Sequence, residues 1–265
     1  MRVRASLLHV VLVSALAMAL VPAPGFAQHL QWPEHPKNLK VLKNLKGEQL
    51  RPVMQEMTHG LGVRCNFCHV GQEGQPITSY DFASDEKPEK QVARKMLEMV
   101  QSVHGQLEKL DLPKDETRVE VTCYTCHRGR PKPLELHAEL SAVFHKQGAD
   151  SMAARYHALK DRFLSRGAYD FGEGSLNELG YELLAAGEKE GALRAFQLNV
   201  EAYPQSANAY DSLAEAYLAA GQRDEARTNY RKSLELDPKN ENAAEKLKEI
   251  DAAPEGGAPS GASGH

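Results

Sequence analysis

The chain has 265 residues, with 36 acidic against 32 basic side chains and a formal net charge of −4. That length leaves room for one large or two small domains. The acidic balance argues against a nucleic-acid partner and allows weak steering toward basic proteins, limited by salt to close approach.

Arg2 and Arg4 stand ahead of an apolar run over 5–21, which Pro22, Pro24 and Gly25 break before Ala27. This is the order of a secretory signal peptide, predicted over 1–27 with the cut after Ala27. The run is short for a spanning helix, which weighs against an uncleaved anchor, and no cysteine stands near the cut to accept a lipid. Loss of Arg2 and Arg4 would leave 238 residues with 30 basic and 36 acidic side chains, a net charge of −6. The expected location is the periplasm or another exported compartment. Association with a membrane complex at the outer face of the inner membrane stays open.

Leu50, Met54, Met57 and Leu61 share one face of a helix predicted over 47–59, which Gly60 and Gly62 close. Cys65-Asn66-Phe67-Cys68-His69 follows. A second stripe, Val92, Met96, Met99 with Val100, Val103, Leu107 and Leu110, marks a helix that Pro113 closes. It precedes Cys123-Tyr124-Thr125-Cys126-His127.

The two pentapeptides use all four cysteines, and a histidine follows each pair at once. That is the c-type haem attachment pattern written twice. Two thiols three positions apart can each add to a vinyl group of one porphyrin, while the adjacent imidazole ligates its iron. A redox disulfide or a zinc site would explain the cysteine pairs but not the histidines. Zinc is further disfavoured by the 54 residues between Cys68 and Cys123, against roughly 15–20 in common zinc ribbons. Two covalent haem c groups are therefore expected, held by Cys65, Cys68, Cys123 and Cys126, with His69 and His127 as proximal iron ligands.

Each iron then needs a distal ligand. Methionine stripes at helical spacing usually fill cores, but beside a haem they become ligand candidates. Met54 is expected for the first haem and Met99 for the second, with Met57 and Met96 as neighbouring core residues on the same faces. His59, His104, His137, His145 and His157 compete, His104 foremost because it lies on the second helix beyond Met99. A second histidine would lower the potential within a range of roughly 0.8 V set by axial ligands. Arg64, Arg128 and Arg130 flank the motifs, as propionate partners or as solvated charges.

Pro131 and Pro133 mark a seam, after which the chain is rich in Ala, Glu, Leu and Lys. Leu179, Leu183, Gly187, Ala192, Phe196 and Pro204 recur 34 residues later as Leu213, Tyr217, Gly221, Ala226, Tyr230 and Pro238. Thirty-four is the tetratricopeptide period. The predicted division is a haem domain over 28–136, a helical linker and capping helix over 137–172 with its helix at 151–166, and repeats over 173–206 and 207–240. A capping helix over 241–250 and a disordered tail over 251–265 complete it. The repeats carry no catalytic motif, and a concave helical surface suits protein or peptide contact.

The segments 61–69, 81–87, 99–101 and 121–129 together resemble the cytochrome c subunit of photosynthetic reaction centres, over roughly residues 36–135. In that family a helix precedes each haem motif and presents the distal ligand, usually Met, which is what the resemblance implies for Met54 and Met99. The family subunit carries four haems, whereas this chain has two motifs and adds repeats. The stretch 168–184 resembles repeat modules appended to many secreted bacterial proteins.

The expectation is an all-α protein: a multihaem c-type cytochrome domain followed by an α-solenoid of two tetratricopeptide repeats. It would pass single electrons between redox partner proteins, without catalytic residues of its own. The alternatives are a haem peroxidase or sensor with one open iron site, and a scaffold with a structural haem domain.

Overall fold

The computed structural model describes residues 31–111 and 119–252. The predicted signal peptide, Pro113 and the tail from 253 onward lie outside the described residues. The fold is all-α, and among the described residues there is no strand, only one antiparallel bridge between Val70 and Asp81.

Among the described residues, three α-helices belong to the half with the cysteines: α1 (Leu50–Leu61), α2 (Pro88–Leu107) and α3 (Cys123–His127). A 3-10 turn at Gly47–Gln49 leads into α1, so the helix predicted over 47–59 starts later and runs to Leu61. Gly62 ends it at φ 65, its N–H donating to the His59 carbonyl. Pro88 opens α2, where its fixed φ and missing N–H suit the first helical position. The helix stops at Leu107, short of the predicted Leu110.

The other half is a stack of antiparallel helical pairs. It consists of α4 (Leu136–Gln147), α5 (Ala149–Phe163), α6 (Glu173–Ala185), α7 (Lys189–Ala202), α8 (Ala207–Ala219), α9 (Arg223–Leu236) and α10 (Glu241–Ala252). The turns between α6 and α7 and between α8 and α9 fall at Gly187 and Gly221, as the repeat register predicts. The predicted linker is a hairpin in its own right: α4 packs on α6, and α5 packs on α7. The helix expected over 151–166 begins at Ala149, and a 3-10 turn replaces its last residues. The closing helix continues two residues past 250, into the stretch expected to be disordered.

Burial is distributed unevenly. One core runs from Leu136 and Leu140 through Met152, Tyr156 and Leu159 to Phe196 and Leu213, joining α4 to α8. A smaller one gathers Ala214, Ala226, Tyr230, Ala243 and Ile250. Between residues 31 and 135, by contrast, Leu50 is the one fully buried hydrophobic residue among those described. Many apolar side chains of that half, among them Met54, Met57, Leu61 and Leu97, line a cavity instead.

Candidate functional site

That cavity has a volume of about 1640 Å³, well above the roughly 300–1,000 Å³ typical of a site for one small ligand. Cys65, Cys68, His69, Cys123, Cys126 and His127 all line it. Its walls come from the segment around Trp32 to Leu42, from α1 and α2, from both cysteine-histidine motifs, and from one side of α4 and α5.

The second motif is a single helical turn. Thr122 caps α3 in a reciprocal capping box with Thr125, which satisfies two backbone donors at the start of a very short helix. Helical spacing places Cys123, Cys126 and His127 on adjacent positions of one face. The Cys123 N–H donates to Glu56 Oε1 at 3.0 Å, so α1, which precedes the first motif, is anchored to the second. Burial, and then the Glu56 carboxylate, push the Cys123 thiol up to about 11. It is a neutral thiol rather than a reactive thiolate. His127 Nδ1 donates to the Arg130 carbonyl at 2.8 Å. That bond fixes the tautomer and leaves the Nε2 lone pair for a metal.

The first motif opens on a 3-10 turn, Cys65–Phe67, and the His69 N–H donates to the Cys65 carbonyl at 3.0 Å. The His69 ring lies edge-on to Phe82, centroids 5.0 Å apart. Burial first, and then the Lys90 charge, hold the imidazole down to about 4. Its Nδ1 is buried without a hydrogen-bond partner. A neutral, desolvated imidazole with an orphan nitrogen beside two free thiols is a donor set suited to a haem.

Met54, Met57, Met96 and Met99 all line the cavity. Met54 and Met57 are half-buried on α1. α2 buries none of its residues; Met99 is 49% exposed, and Met96, expected in a core, is 37% exposed. The competing histidines are elsewhere. His104 Nε2 donates to the Val121 carbonyl at 2.8 Å, and His59 stacks on Tyr124 at 4.9 Å. His137 lies 3.5 Å from the Glu135 and Glu178 carboxylates, His145 3.1 Å from Glu188 and His157 3.7 Å from Glu201. None of the five lines the cavity.

The flanking arginines divide. Arg64 pairs with Glu73 at 2.6 Å on the surface, and Arg128 donates to the Gly167 carbonyl at 2.7 Å. Arg130 is 7% exposed, so the solvated alternative does not hold for it. Its guanidinium sits 4.1 Å over the Tyr169 ring.

Several lining residues carry no role that the sequence alone suggests: Trp32, Phe82, Lys90, Arg94 and Tyr169. The segment 81–87 was singled out without a role, and the structure supplies one. Asp85 receives Lys40 at 2.6 Å, Arg94 at 2.8 Å and Asn38 Nδ2 at 2.8 Å. Those partners, Lys40 foremost, hold its carboxyl well below the usual range. The cluster fastens α2 to the segment of Asn38 and Lys40, which also lines the cavity.

A helical chamber lined by two Cys-x-x-Cys-His motifs and by methionine-bearing helices defines the class, a c-type cytochrome. The chain belongs to the family described as photosynthetic reaction centre cytochrome C subunit, which it matches over residues 18–170. The reaction centre cytochrome c subunit of Rubrivivax gelatinosus is 35% identical over 102 residues, 38% of this chain and 24% of that protein. Cytochrome c-554 of Chloroflexus aurantiacus is 36% identical over 99 residues, 37% of this chain and 22% of that protein. The chain thus spans about a quarter of the length of these relatives. Membership implies covalently bound haem c.

Residues 207–240 match the tetratricopeptide repeat. The first TPR domain of human RPAP3 is 21% identical, covering 44% of this chain and 87% of that one, at a TM-score of 0.32. That score is too low to add to the repeat match. No helix among the described residues is long and apolar enough to cross a membrane.

Proposed function

We propose that this protein is an exported dihaem cytochrome c that passes single electrons between redox partners. The observation that carries the reading is the convergence of all four thiols and both following histidines on one cavity. Cys65 and Cys68 would tether one haem and Cys123 and Cys126 the other, with His69 and His127 below the irons. Met54 and Met99 are the proposed distal ligands, from α1 and α2.

A bound haem c supplies one-electron exchange between ferrous and ferric iron. The chain supplies the rest. The Arg130 carbonyl orients the His127 ring. Phe82 packs against His69 and helps exclude water from it. The Asp85 cluster ties α2, which carries Met96 and Met99, to the segment around Lys40. Val92, Met96 and Met99 on α2 line the cavity, so a haem held there would lie against an apolar wall.

The proposed division is a haem-bearing part over 28–136 and a repeat part over 173–250 that contacts protein. In its favour, residues 207–240 match the tetratricopeptide repeat, whose concave helical surface suits protein or peptide contact. Between helices of the repeat part, Tyr181 donates to Glu215 at 2.7 Å, and Asn242 donates to Asp211 at 2.8 Å and to Glu215 at 3.1 Å. Export rests on the predicted signal peptide.

Intact mass and haem quantitation of periplasmic protein test the reading together. Two haems per chain are expected, one fewer after Cys65→Ser/Cys68→Ser and one fewer after Cys123→Ser/Cys126→Ser. Colourless protein with no added mass would overturn it.

A further inference from the structure

The backbone carbonyl that orients His127 belongs to a residue whose guanidinium both turns back on the motif and enters a polar chain that crosses the predicted seam. Arg130 Nε donates to the His127 carbonyl at 3.3 Å, and its Nη1 donates to the Leu134 carbonyl. Its guanidinium lies on the Tyr169 ring, 4.1 Å from the centroid. The Tyr169 hydroxyl donates to Glu139 on α4, and Arg155 on α5 donates to the same carboxylate from Nε at 2.8 Å. A second tie runs beside it, from Arg128 to the Gly167 carbonyl at 2.7 Å. Arg130, Tyr169, Glu139 and Arg155 all line the cavity.

Three physical points follow. The turn 127–130 has little freedom, because both the carbonyl and the guanidinium of Arg130 are engaged; the ring orientation of His127 is therefore set from outside the motif. The Arg130 charge is nearly buried, so it acts on its surroundings with little screening. Glu139, the carboxylate that the chain reaches through Tyr169, is itself shared with Arg155. The cluster beside His127 thus has a net positive bias, set partly by residues of α4 and α5.

Resting on the dihaem reading above, we infer that Arg130, Tyr169 and Glu139 are positioning residues that tune the potential of the iron held by His127. Ferric haem carries one more positive charge than ferrous haem, so a buried cation nearby favours the reduced form and raises the potential. The carboxylate of Glu139 offsets part of that. The two charges should therefore push in opposite directions, which a purely structural role would not produce.

The test is a spectroelectrochemical titration of the haem-loaded, full-length protein, resolved into two waves. Arg130→Met is expected to lower one wave, with a roughly tenfold fall in that site's reduced-to-oxidised ratio at a fixed ambient potential. Glu139→Gln is expected to raise the same wave, and the other wave stays in place in both variants. Tyr169→Leu should move it, and Tyr169→Phe, which keeps the ring under the guanidinium, should restore most of the wild-type value. If Arg130→Met does not load haem, the Glu139→Gln shift decides alone. Two unmoved waves, or shifts of the same sign in Arg130→Met and Glu139→Gln, overturn the inference while leaving the dihaem reading intact. Protein without any haem overturns both.

Discussion

Gly60 near the end of α1 abuts Cys123, the first thiol of the second motif, so closely that a Cβ on Gly60 would stand 2.7 Å from the Cys123 Cβ and 2.9 Å from the Tyr124 nitrogen. The Gly129 N–H donates to the Gly60 carbonyl at 2.8 Å, fixing the approach. Gly60→Ala should therefore force α1 and α3 apart, at a cost of about 1–3 kcal/mol. Thermal unfolding read beside haem stoichiometry checks this. The variant should melt lower and carry less haem attached at the second motif, and a melt identical to wild type would show that the two helices do not need this contact.

The distal assignments separate by substitution. Met54→Ala and Met99→Ala should each remove part of the near-infrared band of methionine-bound ferric iron, whereas Met57→Ala and Met96→Ala should leave it. All four side chains line the cavity, so the band is the arbiter. Loss on Met57→Ala or Met96→Ala instead would move the ligand one helical turn along the same face.

Acid stability should depend on Asp85. Its folded pKa lies below that of an unfolded aspartate, chiefly through Lys40 and then Arg94. A depressed carboxylate contributes stability that is fully present above the unfolded value, about 3.9, and is lost as pH falls through the folded one. Asp85→Asn should therefore lower the melting temperature at pH 7 and flatten its decline below about pH 4. Parallel melting curves for the two proteins across that interval would contradict this.

In the repeats, Phe196 is fully buried in the larger core, and Phe196→Ala should cost about 3–5 kcal/mol in chemical denaturation. Tyr230 occupies the same register one repeat later, and its hydroxyl is buried without a protein hydrogen-bond partner. Burial pushes that hydroxyl up, with the carboxylates of Glu215 and Asp211 adding to the effect. Tyr230→Phe should be neutral or stabilise by about 1 kcal/mol. A loss comparable to that of Phe196→Ala would mean the hydroxyl has a partner after all.

Much of this was legible in the sequence because it depends on short-range order. The 34-residue recurrence from Leu179 to Pro204 sets the helical pairs, since each repeat buries its aromatic against its own neighbour. The Cys-x-x-Cys-His spacing is likewise a local constraint. What escaped depends on contacts far apart in the chain. Asp85 meets Lys40 across 45 residues, and Tyr169 meets Glu139 across 30. No periodicity announces a pairing of that kind. Met96 was misjudged as core for a related reason: helix periodicity identifies an apolar face but not whether a second helix or a cavity stands opposite it. His104 was overweighted because helix position alone does not reveal that its Nε2 is committed to Val121.

The hydrophobic side chains from Leu136 to Leu213 interlock without a break, so the repeat array is not hung on a tether. It is a fixed arm. A protein gripping its far end would be held at a distance and angle dictated by stacked helices, not by the random reach of a linker. Such an arm can impose one orientation on whatever it grips. For the same reason, cutting the chain near residue 172 would expose the middle of that packing rather than release two finished pieces.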